Sequence, residues 1–445
     1  MKHLLPVLLA CIAIVGCAPI TPYRTELKPA AKPCIAEKHS SQCPDDAFFL
    51  VPTPWSEPGD GIPIGIVEFD DQGALQSRSF KDEILNRIRG LTEEHGTLTV
   101  VFAHGWLNNA APKNENLARF REMLKGIAKG DREICEGRSC EGRKVVGVYL
   151  AWRGMAATLQ PFAGLSFWNR KSRAHRVGQD GATEVLAELA KIKAGTSSAK
   201  EKSRLILIGH SFGGAVIYSA VQQLLMKDAA FVKGVGKSVD RTTANLVILV
   251  NPAFEAARLT ALHDRAAGMC FPKTQSPILA IFTSKTDLPT KVAFPTGRLL
   301  SSLFTKYNPD RPRQSKLDRT AIGHYRGYQT HELRLGDKDA ALLPRLSSVC
   351  RWERFREGKT HDWDLERVVL ERKHSMRHKD QRTNPYYNVA VDDAIISGHS
   401  GIWEPEFFME FIFRLVTVQD AKSCREYLTG VKPEFQAAPK GCPAD

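Results

Sequence analysis

Leu205-Ile206-Leu207-Ile208-Gly209-His210-Ser211-Phe212-Gly213-Gly214 constrains this chain more than any other stretch. Its first four residues are an apolar, β-branched run of strand length, and Ala215 to Val221 continues as a buried helical pattern. Between the two, Gly209-x-Ser211-x-Gly213 lets a strand turn sharply into a helix. Such a turn strains the serine backbone, and side chains at Gly209 and Gly213 would collide with neighbouring elements. A hydroxyl held there projects above the sheet, where a nucleophile must stand. Without those flanks Ser211 would read as an ordinary helix N-cap. With them, the nucleophile is the stronger reading.

Thr99-Val100-Val101-Phe102-Ala103-His104-Gly105-Trp106 is a second buried-type strand, ending in His-Gly. A hydrolytic serine needs backbone N–H groups aimed where negative charge develops on the substrate oxygen. The loop after such a strand offers one donor, Trp106 or Leu107. The residue after the nucleophile, Phe212, offers the other. His104 is expected to brace the loop rather than to transfer protons.

On these two motifs the chain resembles the α/β-hydrolase superfamily, in particular its bacterial serine esterases and lipase-like members. The resemblance spans roughly residues 60–420, with specific motifs at 99–107 and 205–214 and weaker ones at 281–287 and 395–403. It implies an α/β fold, a mostly parallel sheet flanked by helices, with Ser, acid and His in that chain order. Asp287 follows the strand Ile278 to Thr283 and sits where the superfamily places its acid. Glu255, after the preceding strand, and Asp392 and Asp393, beside the histidine, are its rivals. Of thirteen histidines, seven follow the serine, and only His399 lies in a flexible loop, Ser397-Gly398-His399-Ser400-Gly401, after an apolar run. The resemblance thus assigns Ser211 as nucleophile, His399 as base and Asp287 as acid, with no cofactor and no metal.

The chain starts with a short basic segment and an apolar run, Leu4 to Val15, too short to span a membrane. Ile14-Val15-Gly16-Cys17 looks like a bacterial lipobox, which implies cleavage before Cys17 and lipidation of that cysteine. An ordinary signal peptide cut nearby is the alternative; both mean export. Ala18 after the cysteine points by the same resemblance to the outer membrane of a bacterial envelope, facing the periplasm or the surface. Ten cysteines, less Cys11 in the leader and Cys17, leave an even eight for an oxidising compartment. Proximity suggests Cys34–Cys43, Cys135–Cys140 and Cys424–Cys442, leaving Cys270–Cys350. No ligand spacing for zinc is present.

At 445 residues the chain exceeds a bare core. Residues 1–16 are expected as the signal peptide and 17–60 as a lipidated tether. A hydrolase domain over 61–430 follows, with insertions at about 154–175 and 295–385, then a tail over 431–445. Ile62 to Phe69 and the turn Asp70-Asp71-Gln72-Gly73 suggest an opening antiparallel hairpin. Buried strands recur at 98–103, 145–151, 205–208, 246–250 and 278–283, with helices at 81–89, 182–192, 215–226 and 253–262 between them. The apolar segment 154–168 reads as a lid or acyl-binding wall, or as a loop packed on the core. The basic segment 295–385 reads as a cap or a solvated side domain. A net charge of +13 without an aromatic-interleaved basic motif does not indicate nucleic acid. The expected partners are an acyl ester and, through Cys17, a membrane. An acyltransferase on the same residues and a non-catalytic envelope lipoprotein are the competing functions.

Overall fold

Apolar runs long enough to be strands but not helices place their residues on two covered faces, and they pair here into one sheet. The computed structural model describes residues 21–38, 42–136, 143–155, 167–195, 203–232, 239, 242–267, 269, 271, 277–335, 368–372, 384–403 and 412. Among these residues the strands are β1 Cys34–Ile35, β2 Phe48–Val51, β3 Ile62–Phe69, β4 Thr97–Ala103, β5 Lys144–Trp152, β6 Arg204–His210, β7 Leu246–Val250, β8 Leu279–Ser284, β9 His331–Leu335, β10 Val368–Arg372 and β11 Tyr386–Val391. Their order is β1-β2-β3-β5-β4-β6-β7-β8-β11-β9-β10. Among the described strands only β2–β3 and β9–β10 pair antiparallel. The architecture is therefore α/β with a mostly parallel sheet.

Every residue of β4, β7 and β8 is buried, as a strand covered on both faces requires. The helices are α1 Arg78–His95, α2 Glu115–Glu136, α3 Phe167–Gln179, α4 Gly181–Ala194, α5 Phe212–Ala230, α6 Thr260–Ala267, α7 Phe294–Ser301 and α8 Gln314–Arg319. One core holds Ile84 and Ile88 of α1, Val177 of α3, Val185 of α4 and Val216 of α5. The opposite core holds Leu117, Phe120 and Leu124 of α2. There Phe120 lies 5.5 Å from the Phe102 ring and 5.8 Å from the Tyr149 ring. Each such side chain contributes about 1.5–3 kcal/mol by leaving water. α3 crosses α5 closely, because a Cβ on Gly178 would lie against the Val216 backbone. Among the described residues no helix is long and apolar enough to cross a membrane.

Several expectations are corrected. Asp70–Gly73 does reverse the chain, with Asp70 N–H donating to the Ala74 carbonyl and Gln76 N–H to the Glu68 carbonyl, but the antiparallel strand pair at the start of the sheet is β2 running against β3. That turn leads instead through one bridge, Phe69 to Leu75, into α1. The described part of 17–60 is bound to the body rather than free as a tether. Phe48 to Val51 are buried, and the Arg24 guanidinium donates to the carbonyls of Cys43, Pro44 and Ala110. The 295–385 region is not simply a cap, since β9 and β10 extend the sheet beyond β11. The helix expected from Ala253 starts later, at Ala256, because Glu255 is extended and bridges to Ala321. Cys34 and Cys43 form a disulfide. The other three pairings, residues 156–166 of the 154–168 segment, Cys17, and the 431–445 tail lie outside the described residues.

Candidate active site

β6 lies between β4 and β7, with Gly209 opposite Ala103 on one side and Leu249 on the other. The chain then reverses into α5 through Ser211, whose backbone has φ 55° and ψ −120°. A non-glycine residue tolerates that conformation only when its surroundings impose it. Here they do. A Cβ on Gly209 would stand 2.5 Å from the Gly213 carbonyl oxygen, and one on Gly213 would overlap the Ala103 carbonyl. Pro252 closes on Gly214 in the same way, at 2.9 Å. The turn is so tight that only glycine fits at its flanks.

β11 runs parallel to β8, with Val391 opposite Ser284. That register carries the 397–399 loop over the residues that follow β8. His399 Nε2 lies 2.8 Å from Ser211 Oγ, and its Nδ1 lies 2.9 Å from Asp287 Oδ1. Ser211 is 3% exposed and Asp287 0%. Burial opposes charge on Asp287, but the His399 contact and both hydrogen bonds from Thr290 outweigh it and hold the carboxyl below its ordinary value. An ionised Asp287 accepts from Nδ1–H, which leaves Nε2 to accept from the serine hydroxyl. Hydroxyl, imidazole and carboxylate are thus in one line of hydrogen bonds, able to move a proton from oxygen to nitrogen.

Two of the rival carboxylates are engaged elsewhere. Glu255 pairs with Lys171 and with Arg258 and Arg298, and Asp392 with Lys285. His104 is fully buried. Its Nδ1–H donates to the Gly105 carbonyl at 2.9 Å, and its Nε2 accepts from the Trp152 N–H at 3.1 Å. Burial pushes it down to about 4, so it stays neutral and holds the loop. Of the two loop donors, Leu107 N–H is bound to the Gly154 carbonyl at 3.1 Å. Gly105, just before Trp106, approaches the serine so closely that its Cβ would be 3.0 Å from Ser211 Cβ. Phe212 opens α5, where N–H groups lack intrahelical partners and the helix dipole is positive. Beside them Phe167 packs on Trp106 at 5.3 Å and on Phe212 at 4.7 Å, an apolar wall.

Five further residues hold the arrangement and were not read from sequence. Asn251, fully buried at φ 46°, donates to the carbonyls of Gly398 at 3.1 Å and His399 at 2.8 Å while accepting from Ser284 N–H. His210 Nε2–H donates to the His399 carbonyl at 2.9 Å; burial first, then the nearby His399, push it down to about 4. Ser284 Oγ donates to the Ile396 carbonyl at 2.7 Å. Thr290 Oγ1 donates to Asp287 and accepts from His324 Nε2–H at 2.9 Å. Burial lowers His324, which favours the neutral ring this bond uses. His210 lies inside the serine motif; the other four carry no local pattern that sets them apart. Gly398, at φ 64°, needs glycine for the turn that presents the imidazole.

No family model matches the chain, and no curated protein sequence does. Solved structures that match include a Trichoderma reesei cutinase in complex with a C11Y4 phosphonate inhibitor, at 16% identity and a TM-score of 0.17. That match covers 40% of this chain and 65% of the cutinase. Phospholipase PlaB from Legionella pneumophila matches at 11% identity and a TM-score of 0.29, over 74% of this chain and 62% of its own. Both matches span less than two thirds of the other chain.

Proposed function

We propose that this chain is an exported serine hydrolase that cleaves carboxylic esters, of acyl or lipid type, through Ser211, His399 and Asp287. The observation that carries the reading is the continuous contact from the strained Ser211 through His399 to the buried Asp287. His399 takes the Ser211 proton as the oxygen attacks the acyl carbonyl, and Asp287 stabilises the imidazolium. The N–H groups of Trp106 and Phe212 receive the oxyanion, each such donor lowering the barrier by about 3–4 kcal/mol. His399 then gives its proton to the departing alkoxide. Water, deprotonated by the same ring, releases the acid and restores the serine. Cys17 carries the lipid that holds the enzyme at the bacterial envelope, in the outer membrane.

The test is hydrolysis of p-nitrophenyl esters of increasing chain length, by wild type and Ser211→Ala, with and without a primary alcohol. Release of free acid by wild type alone supports the reading. Acyl transfer to the alcohol in preference to water would make the chain an acyltransferase. Absence of turnover in folded wild type would leave a non-catalytic envelope lipoprotein.

A further inference from the structure

The segment that follows Asp287 buries some of its apolar side chains and exposes others. Its inner face is fixed: Phe294 of α7 is buried against Trp168, Gly297 leaves no room for a Cβ beside the Trp168 ring, and Arg298 pairs with Asp318 of α8 at 2.5 Å. Its outer face carries apolar side chains in water, interspersed with Lys291, Thr296, Ser301, Thr305 and Lys306. Leu288, Val292, Leu300 and Leu303 are exposed, and Phe304 is 98% exposed. A ridge of this kind, fixed from below, marks an interaction surface.

Charge identifies what it meets. Between residues 288 and 326 there are eight lysines and arginines against two aspartates, and Asp318 is already paired with Arg298. α8 packs on α7, and beside it lies a cavity of about 500 Å³ lined by Arg313, Lys316, His324, Tyr325, Arg326 and Gly327. Among the described residues no carboxylate lines it. Arg313, Lys316 and Arg326 make no ion pair among the described residues. The cavity also adjoins the site, since its wall residue His324 is bonded through Thr290 to Asp287. A second copy of the chain would set like charges against each other across this face. An anionic lipid surface satisfies both features, apolar chains for the ridge and phosphates for the cavity.

We propose that residues 288–326 dock this chain on anionic phospholipid surfaces, with Leu300, Leu303 and Phe304 entering the acyl layer and Arg313, Lys316 and Arg326 holding headgroup phosphates. This deepens the esterase reading by naming where the substrate is met. It is tested on the full chain carrying Ser211→Ala and Cys17→Ser, so that neither turnover nor an acyl anchor contributes. Co-sedimentation is measured with phosphatidylcholine vesicles, with and without phosphatidylglycerol. The expected result is partitioning at least tenfold higher into the anionic vesicles. It is lost in Arg313→Gln/Lys316→Gln/Arg326→Gln and in Leu303→Ser/Phe304→Ser, while both sets, with Ser211 intact, keep wild-type activity on a soluble short-chain ester. Equal partitioning into both vesicles, or unchanged binding by either set, would overturn the proposal. So would a dimer in gel filtration that Leu303→Ser/Phe304→Ser dissolves, because the ridge would then belong to a second copy. Loss of ester turnover with intact vesicle binding would count against the esterase reading alone.

Discussion

Ser211 could be placed from sequence because backbone strain leaves a mark there: only glycines at 209 and 213 permit the turn. His399 left a weaker mark, the glycine at 398 with its positive φ. Asp287 left almost none. Its side chain also accepts from the Thr290 N–H at 3.1 Å, so it is at once a turn cap and the partner of His399. Asn251 and His324 were illegible because their roles are contacts between residues far apart in the chain, to which no local spacing corresponds. The choice among carboxylates has a direct check. Asp287→Asn is expected to lower kcat on the order of 10³–10⁴-fold, because the ring loses its orienting charge. Asp392→Asn, whose partner is Lys285, is expected to change kcat less than about threefold, as suits a partly exposed pair. Circular dichroism of both variants separates chemistry from folding. The opposite ranking would move the acid to the loop beside the histidine.

At the scale of elements, the central strands were readable because two-sided burial writes an unbroken apolar run. The edges were not. β9 reads His-Glu-Leu-Arg-Leu, and its charges sit on a strand near the margin of the sheet, so the segment looked like part of a solvated insertion. Glu255 shows the same limit. It follows β7 as a rival acid would, yet it ties that end of the sheet to Lys171 on α3 and Arg298 on α7. Burial opposes its charge, but Lys171 outweighs burial and brings its pKa down to about 2. A carboxyl depressed in the folded state contributes stability that is present above its unfolded value of about 4.3 and is lost as pH falls toward 2. Glu255→Gln is expected to cost about 3–5 kcal/mol near neutral pH, since Lys171 is left buried without its partner. The variant's unfolding midpoint in urea is expected to fall less than that of wild type between about pH 5 and about pH 3. A parallel acid decline in both proteins would remove Glu255 from this role.

At the scale of the molecule, the long gap between Asp287 and His399 was the main obstacle to joining them. The sheet removes it. β11 lies directly beside β8, and the intervening chain forms β9 and β10 further out, so residues 112 apart in sequence share a hydrogen bond. Position relative to a membrane belongs to this scale too. Ile14-Val15-Gly16-Cys17 motivates the expectation that Cys17→Ser releases the expressed protein from the membrane fraction or stops its processing. Normal cleavage with unchanged membrane retention would exclude the acyl anchor. The central claim, that Ser211 is a nucleophile driven by His399, is tested most directly by intact-mass and peptide mapping after a fluorophosphonate probe. The account predicts a single adduct on Ser211, absent in Ser211→Ala and formed far more slowly in His399→Ala. A folded wild-type protein that takes no label, or a label that persists in Ser211→Ala, would contradict it.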